Sequence, residues 1–225
     1  MNDPTSALPL EELLRLEKEA PEAAKWTLDE SVLIERCLSG DDTAFDQIIG
    51  RYQDMVFNLA YRFLGGHDEA VDLSQEVFLQ VFRKLSTFRR DASLKTWIYR
   101  IVINRAKNRQ RWWRRRFGEM TAVPIDDAEA NPNWELSAPV QSGIVAPDKA
   151  LERKEMGHIL RSAIDGLPFD QRAILLLKEI EGLSYEEISS ALDLPLGTVK
   201  SRLARARRAL REKLDPKLFG LSEDG

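Results

Sequence analysis

"LSYEEISSALDLPLGTVKSRLARARRAL", residues Leu183–Leu210, decides how the rest of the chain is read. Ser184 and Glu187 stand at capping-box spacing, where a hydroxyl and a carboxylate satisfy the free amides that open a helix. Ile188 and Leu192 give that helix a buried stripe. "DLP" is the turn, and a second helix starts near Leu196 or Gly197. Val199, Leu203, Ala206 and Leu210 follow at spacings of 4, 3 and 4, which is one apolar face. The opposite side holds Gly197, Ser201, Ala204, Arg205 and Arg208, with Thr198, Lys200 and Arg202 on its flanks. Small residues beside arginines allow close approach to a groove and supply guanidinium forks for guanine edges or phosphates. The pattern predicts a helix-turn-helix.

Charge supports that reading through its distribution rather than its total. The 225-residue chain carries a net charge of −4, yet Arg83–Arg116 holds thirteen Lys/Arg against the single acid Asp91. Lys200–Lys213 holds seven Lys/Arg against Glu212 alone. Such segregation implies polyanion-binding faces on an otherwise acidic body. Hydrophobic residues make up 43% and charged residues 31%, the balance of a soluble globular protein. No apolar run approaches the roughly 20 residues that span a bilayer, so no membrane insertion is expected. The N-terminus lacks a secretory pattern, and one cysteine, Cys37, fits a reducing compartment, so the chain is expected in the cytoplasm. Cys37 lies among apolar residues at helical spacing and is expected to be a buried structural thiol.

Working outward, almost every segment has helical periodicity and none alternates as a strand does. Residues 1–27 form an N-terminal extension to which no role is assigned. Thr27 and Glu30 have capping-box spacing and open a helix that runs to about Leu38. A second helix places Phe45, Ile48, Ile49, Tyr52, Val56, Leu59, Ala60 and Phe63 on one face. A third runs from about Asp68 to Leu85, and a fourth turns Leu94, Trp97, Ile98, Ile101 and Val102 inward. From Gly118 to Pro147 there is no lysine or arginine but four prolines and five acids, the composition of a flexible linker. Helical periodicity resumes at Asp148 and continues to about Leu214. The fold expected is all-α: two small helical domains, 28–117 and 148–215, joined by an acidic linker, 118–147, with a tail at 216–225.

Two further segments carry chemistry. On the third helix Asp68, Asp72 and Glu76 repeat every four residues, flanked by Gln75, while Ala70, Leu73, Val77, Val81 and Leu85 face inward. Like charges at that spacing weaken a helix, so a docking face for a basic partner explains them better than stability does. "FRRDASLKTWIYRIVINRAKNRQRWWRRR" interleaves cations with Phe88, Trp97, Tyr99, Trp112 and Trp113, a design for single-stranded nucleic acid. Trp97 falls on the apolar stripe and serves a core equally well. Enzymatic readings find no support. The two histidines, His67 and His158, are far apart, no Cys/His metal spacing exists, and no phosphate-binding glycine loop or nucleophile motif is present. No cofactor is expected.

"DLSQEVFLQVFRKL", "FRRDASLKTWIYRIVINRAKN" and the opening stretch, in that order, resemble the signatures of the extracytoplasmic-function sigma factors, the small initiation subunits of bacterial RNA polymerase. The resemblance implies docking on core RNA polymerase, at the clamp of its largest subunit and at the beta flap, with Asp72, Gln75 and Glu76 on the clamp. It implies capture of the melted minus-10 element by Phe88, Arg89, Arg90, Asp91, Ser93 and Lys95. It also implies reading of the minus-35 element by Thr198, Lys200, Ser201, Arg202 and Arg205. The linker would thread toward the polymerase active-site channel, and an anti-sigma factor is an implied partner beside promoter DNA. Ser74 in "LSQE" and Ser189–Ser190 in "EISS" depart from the commonest family residues, but all are small. The other reading is a helix-turn-helix regulator that binds duplex DNA without polymerase. The acidic face and the aromatic-rich basic segment weigh against it, because such a regulator needs neither.

Overall fold

Apolar residues three and four apart can leave water together only if the chain coils and the resulting stripes face one another. The computed structural model describes residues 28–117 and 157–218, and every regular element among them is helical. The chain divides into two compact units. Residues 1–27, including the Thr27 half of the first capping box, the linker at 118–147, the start of the second domain expected at Asp148 (residues 148–156) and the end of the tail lie outside the described residues.

The N-terminal unit contains α1 (Leu28–Leu38), α2 (Asp42–Leu64), α3 (His67–Lys84) and α4 (Leu94–Phe117), with a 3-10 turn at Leu85–Thr87. Asp41 caps α2: its carboxylate accepts the Thr43 backbone N–H at 3.0 Å and the Thr43 hydroxyl at 2.6 Å. Arg36 donates to the same group from Nε at 2.9 Å and Nη2 at 2.7 Å. Thr43 and then Arg36 hold the Asp41 carboxyl down to about 2. Gly65 ends α2 in the left-handed region, φ 81°, where a side chain is unfavourable, and its N–H donates to Tyr61 O at 2.8 Å. Helix α2 packs against α1, α3 and α4 and so forms the centre of the unit. Ile48, Val56 and Leu59 from α2 meet Leu73, Val77 and Val81 from α3 and Leu94, Ile98 and Val102 from α4, all fully buried. Each such burial contributes about 1.5–3 kcal/mol relative to exposure. Tyr99, Ile103 and Ala106 are buried as well, beyond the single stripe expected of α4, because both α2 and α3 pack on it. Cys37 is only half-buried, and burial, followed by the Asp41 carboxylate, pushes its thiol up to about 11.

The C-terminal unit begins with α5 (residues 157–165) and continues through α6 (Phe169–Leu175), α7 (Tyr185–Leu192) and α8 (Leu196–Leu218). Arg172, 5% exposed, donates from Nη1 to Asp165 Oδ1 at 3.1 Å and ties α6 to α5. Burial raises the Asp165 carboxyl despite the opposing pull of Arg172. Helix α6 runs into a π turn, Leu176–Ile180, which the periodicity does not foretell. Helix α8 continues to Leu218, past the end expected near Leu214, so the tail boundary at 215/216 falls inside a helix.

Candidate nucleic-acid interface

Helix α7 opens with the reciprocal pair expected of Ser184 and Glu187. The Ser184 N–H donates to Glu187 Oε2 at 2.8 Å, and the Glu187 N–H donates to Ser184 Oγ at 3.1 Å. Asp193 makes the turn in the left-handed region, φ 53°, and the Leu194 N–H returns to Ser189 O at 3.0 Å. The Thr198 and Val199 amides then close on Pro195 O at 2.8 and 3.0 Å and start α8. Val199, Leu203 and Ala206 are buried to within 1% of complete, while Gly197, Lys200, Ser201, Ala204, Arg205 and Arg208 are exposed. Thr198 and Arg202 are half-buried on the flanks. The Lys200 ammonium sits 5.8 Å from the Tyr185 ring centre, a cation–π contact that joins α7 to α8. Arg207 is engaged elsewhere, donating to Glu179 Oε1 at 2.9 and 2.6 Å. This leaves one polar face with small residues at its centre and cations around it.

The loop between α3 and α4 differs from its reading as a row of contacts. Phe88 is 8% exposed and packs on Trp97, ring centres 5.1 Å apart, so it is a core residue and not an open stacking platform. Arg90 turns inward and pairs with Glu35 of α1, both side chains less than one-fifth exposed. Ser93 is buried as the cap of α4: its Oγ accepts the Thr96 N–H at 3.1 Å. Of the predicted minus-10 residues, Arg89, Asp91 and Lys95 are exposed. Tyr99 is fully buried, which removes a second stacking candidate, and Trp97 is half-buried. Trp112 is 47% exposed with the Arg116 guanidinium 5.4 Å from its ring centre, and Trp113 is half-buried. Asn108, Arg111, Arg114 and Arg115 line a shallow concavity near the end of α4.

On α3, Asp72 and Gln75 are exposed and share a face with Leu79 and Phe82, 54% and 55% exposed. Glu76 lies at the edge of that face and is already paired, with Arg105 Nη1 at 3.4 Å and with Arg109. Arg105 Nε also donates to Gln80 Oε1 at 2.5 Å. Glu76 therefore has an intramolecular role that sequence reasoning missed, as it missed Glu35. Acidic residues on α3 opposite a basic run on the following helix were the available signal for Glu76, whereas Glu35 and Arg90, 55 positions apart, offered none.

Known proteins resemble the chain over both units. The model of sigma-70 region 2 matches residues 48–116, and that of sigma-70 region 4 matches residues 157–210. The chain is 39% identical over 186 residues to the RNA polymerase sigma-H factor of Pseudomonas aeruginosa, a match covering 83% of this chain and 94% of that protein. It is 38% identical over 189 residues to the ECF RNA polymerase sigma-E factor of Escherichia coli K12, covering 84% and 96%. Among solved structures, the sigma factor RpoE of Bartonella quintana, crystallised with the anti-sigma factor NepR, aligns with a TM-score of 0.55 at 26% identity over 76% of this chain and 96% of that one. CnrH in complex with the cytosolic domain of CnrY shares the fold, with a TM-score of 0.56 at 22% identity over 82% and 96%.

Proposed function

Because the chain belongs to the extracytoplasmic-function sigma factors, we propose that residues 28–117 dock on core polymerase and capture the minus-10 element while residues 148–215 read the minus-35 element. The protein is an RNA polymerase-associated factor that selects promoters for initiation. Docking is assigned to the α3 face, where Asp72 and Gln75 meet a basic partner, Glu76 contributes once its own arginines are displaced, and Leu79 and Phe82 add apolar contact. Capture of unpaired bases falls to Arg89, Asp91 and Lys95, the exposed members of the predicted set. Arg90, Phe88 and Ser93 support the loop from within. Minus-35 contacts are assigned to Lys200, Ser201 and Arg205, with Thr198 and Arg202 beside them. Residues 118–147 link the two units.

The observation that carries the assignment is the outer face of α8, six exposed polar or small residues opposite a fully buried stripe. Such a face fits a major groove, with arginine forks for guanine edges. The protein has no catalysis of its own and works in the cytoplasm, where core polymerase is found. An anti-sigma partner is part of this reading, supported by the Bartonella quintana relative crystallised with one. Run-off transcription tests the proposal: the protein added to core polymerase should direct initiation from a subset of genomic promoters. Sequence-specific duplex binding without any polymerase association would instead favour an independent regulator.

A further inference from the structure

We propose that Glu35 and Arg90 form a latch that holds the α3–α4 loop in the shape that captures single-stranded DNA, so that Arg90 is a positioning residue and not a DNA contact. The inference rests on the assignment of minus-10 capture to this loop. Arg90 has φ 59°, a left-handed conformation that a residue with a side chain adopts only when its surroundings require it. The requirement is visible: this turn sends the guanidinium back to the Glu35 carboxylate on α1. The pair is withdrawn from water, at 16% and 18% side-chain exposure, so salt screens it less than an open surface pair.

The loop as a whole sorts its residues by direction. Phe88, Ala92 and Ser93 are buried, at 8%, 3% and 8% exposure. Phe88 is fixed by Trp97 and Ser93 by the Thr96 amide and hydroxyl. Between these two anchors, Arg89 and Asp91 are exposed and Arg90 is not. The tie to α1 fixes the middle of the segment. Without it the two outward side chains have no common orientation, and a strand of unpaired bases meets a loop that must be ordered at the moment of binding, which weakens binding.

The test uses holoenzyme assembled from the full chain and core polymerase, with a fluorescent single-stranded minus-10 oligonucleotide as probe. Glu35→Gln and Arg90→Gln are each expected to weaken oligonucleotide binding by about three- to thirtyfold, and the double variant no further, because both remove one interaction. Core polymerase binding and melting temperature serve as controls for folding. Arg90→Gly removes the latch while relieving the left-handed backbone, so lost capture without lost thermal stability supports positioning. The exchanged pair Glu35→Arg/Arg90→Glu should recover part of the binding. Unchanged or tighter binding with Glu35→Gln, beside weaker binding with Arg90→Gln, would overturn the latch and make Arg90 a direct contact. Loss with Arg89→Ala but with neither latch variant would overturn the latch and leave the loop assignment standing. No loss even when Phe88–Ser93 is replaced by a Gly/Ser segment would overturn both.

Discussion

Arg205 and Arg211 are both exposed arginines on α8, yet they stand in different relations to a groove. Arg205 lies on the face opposite Val199 and Leu203, whereas Arg211 lies to its side. Arg205→Ala should therefore cost about 1–3 kcal/mol of promoter binding and relax selection at one base pair. Arg211→Ala should weaken all sequences alike, if at all. Binding selection from randomised minus-35 sites separates the two, and equal uniform losses would make Arg205 a phosphate contact. Asp41 permits a second test at this scale. Its carboxyl is held near 2, below its ordinary value, so its ionised form contributes stability above about pH 4 that is lost as pH falls through about 2. Asp41→Asn keeps a good N-cap but not the charge, and should flatten the acid limb of a stability–pH curve. Cys37 behaves in the opposite sense: with its thiol near 11, iodoacetamide should react slowly at pH 8 and faster by about tenfold per pH unit above it. Rapid alkylation of the folded protein at pH 8 would contradict the burial assigned to it.

At the scale of elements, what was legible in the sequence was what is local. The Ser184–Glu187 box and the Val199–Leu203–Ala206 stripe depend on residues three or four apart, and the structure contains both, although Leu210, the fourth residue expected in the stripe, is only half-buried. The inward stripe of α3 was legible for the same reason. The α3–α4 loop was not, because Phe88 and Arg90 read as solvent-facing until their partners on α4 and α1 are brought to them. Nor was the π turn at Leu176–Ile180, which shifts one turn of hydrogen bonds where buried Leu176 and Leu177 give way to Lys178 and exposed Glu179. Helix α3 also shows how structure alters the choice of experiment. Reversing Asp72 to lysine tests docking with little risk to the fold, since the side chain is exposed. Reversing Glu76 sets a third cation beside Arg105 and Arg109 and should destabilise the N-terminal unit itself. Asp72→Lys is expected to abolish retention on core polymerase with helicity intact, and undiminished retention in a pull-down would remove Asp72 from the docking face.

For the whole molecule, energy sets a limit on what the protein does alone. Opening roughly ten base pairs costs on the order of 14 kcal/mol, while one base stacked on an aromatic ring returns only about 1–3 kcal/mol. Burial of Phe88 and Tyr99 leaves still fewer rings for that purpose. The free protein should therefore leave relaxed duplex closed, and the same promoter should open once core polymerase is added. Permanganate reactivity of unpaired thymines reads both states, and reactivity with the protein alone would refute the estimate. A last consequence follows from the carboxylate of Glu76, which already holds Arg105 and Arg109. A cationic partner that reaches it performs an exchange: one set of guanidiniums leaves as another arrives. The number of ions neutralised at that point hardly changes, so Glu76 should add little to the salt slope of complex formation, while Asp72 adds its full share. The arginines set free stand on the same helix as Lys95 and would then be open to another anion, such as a phosphate.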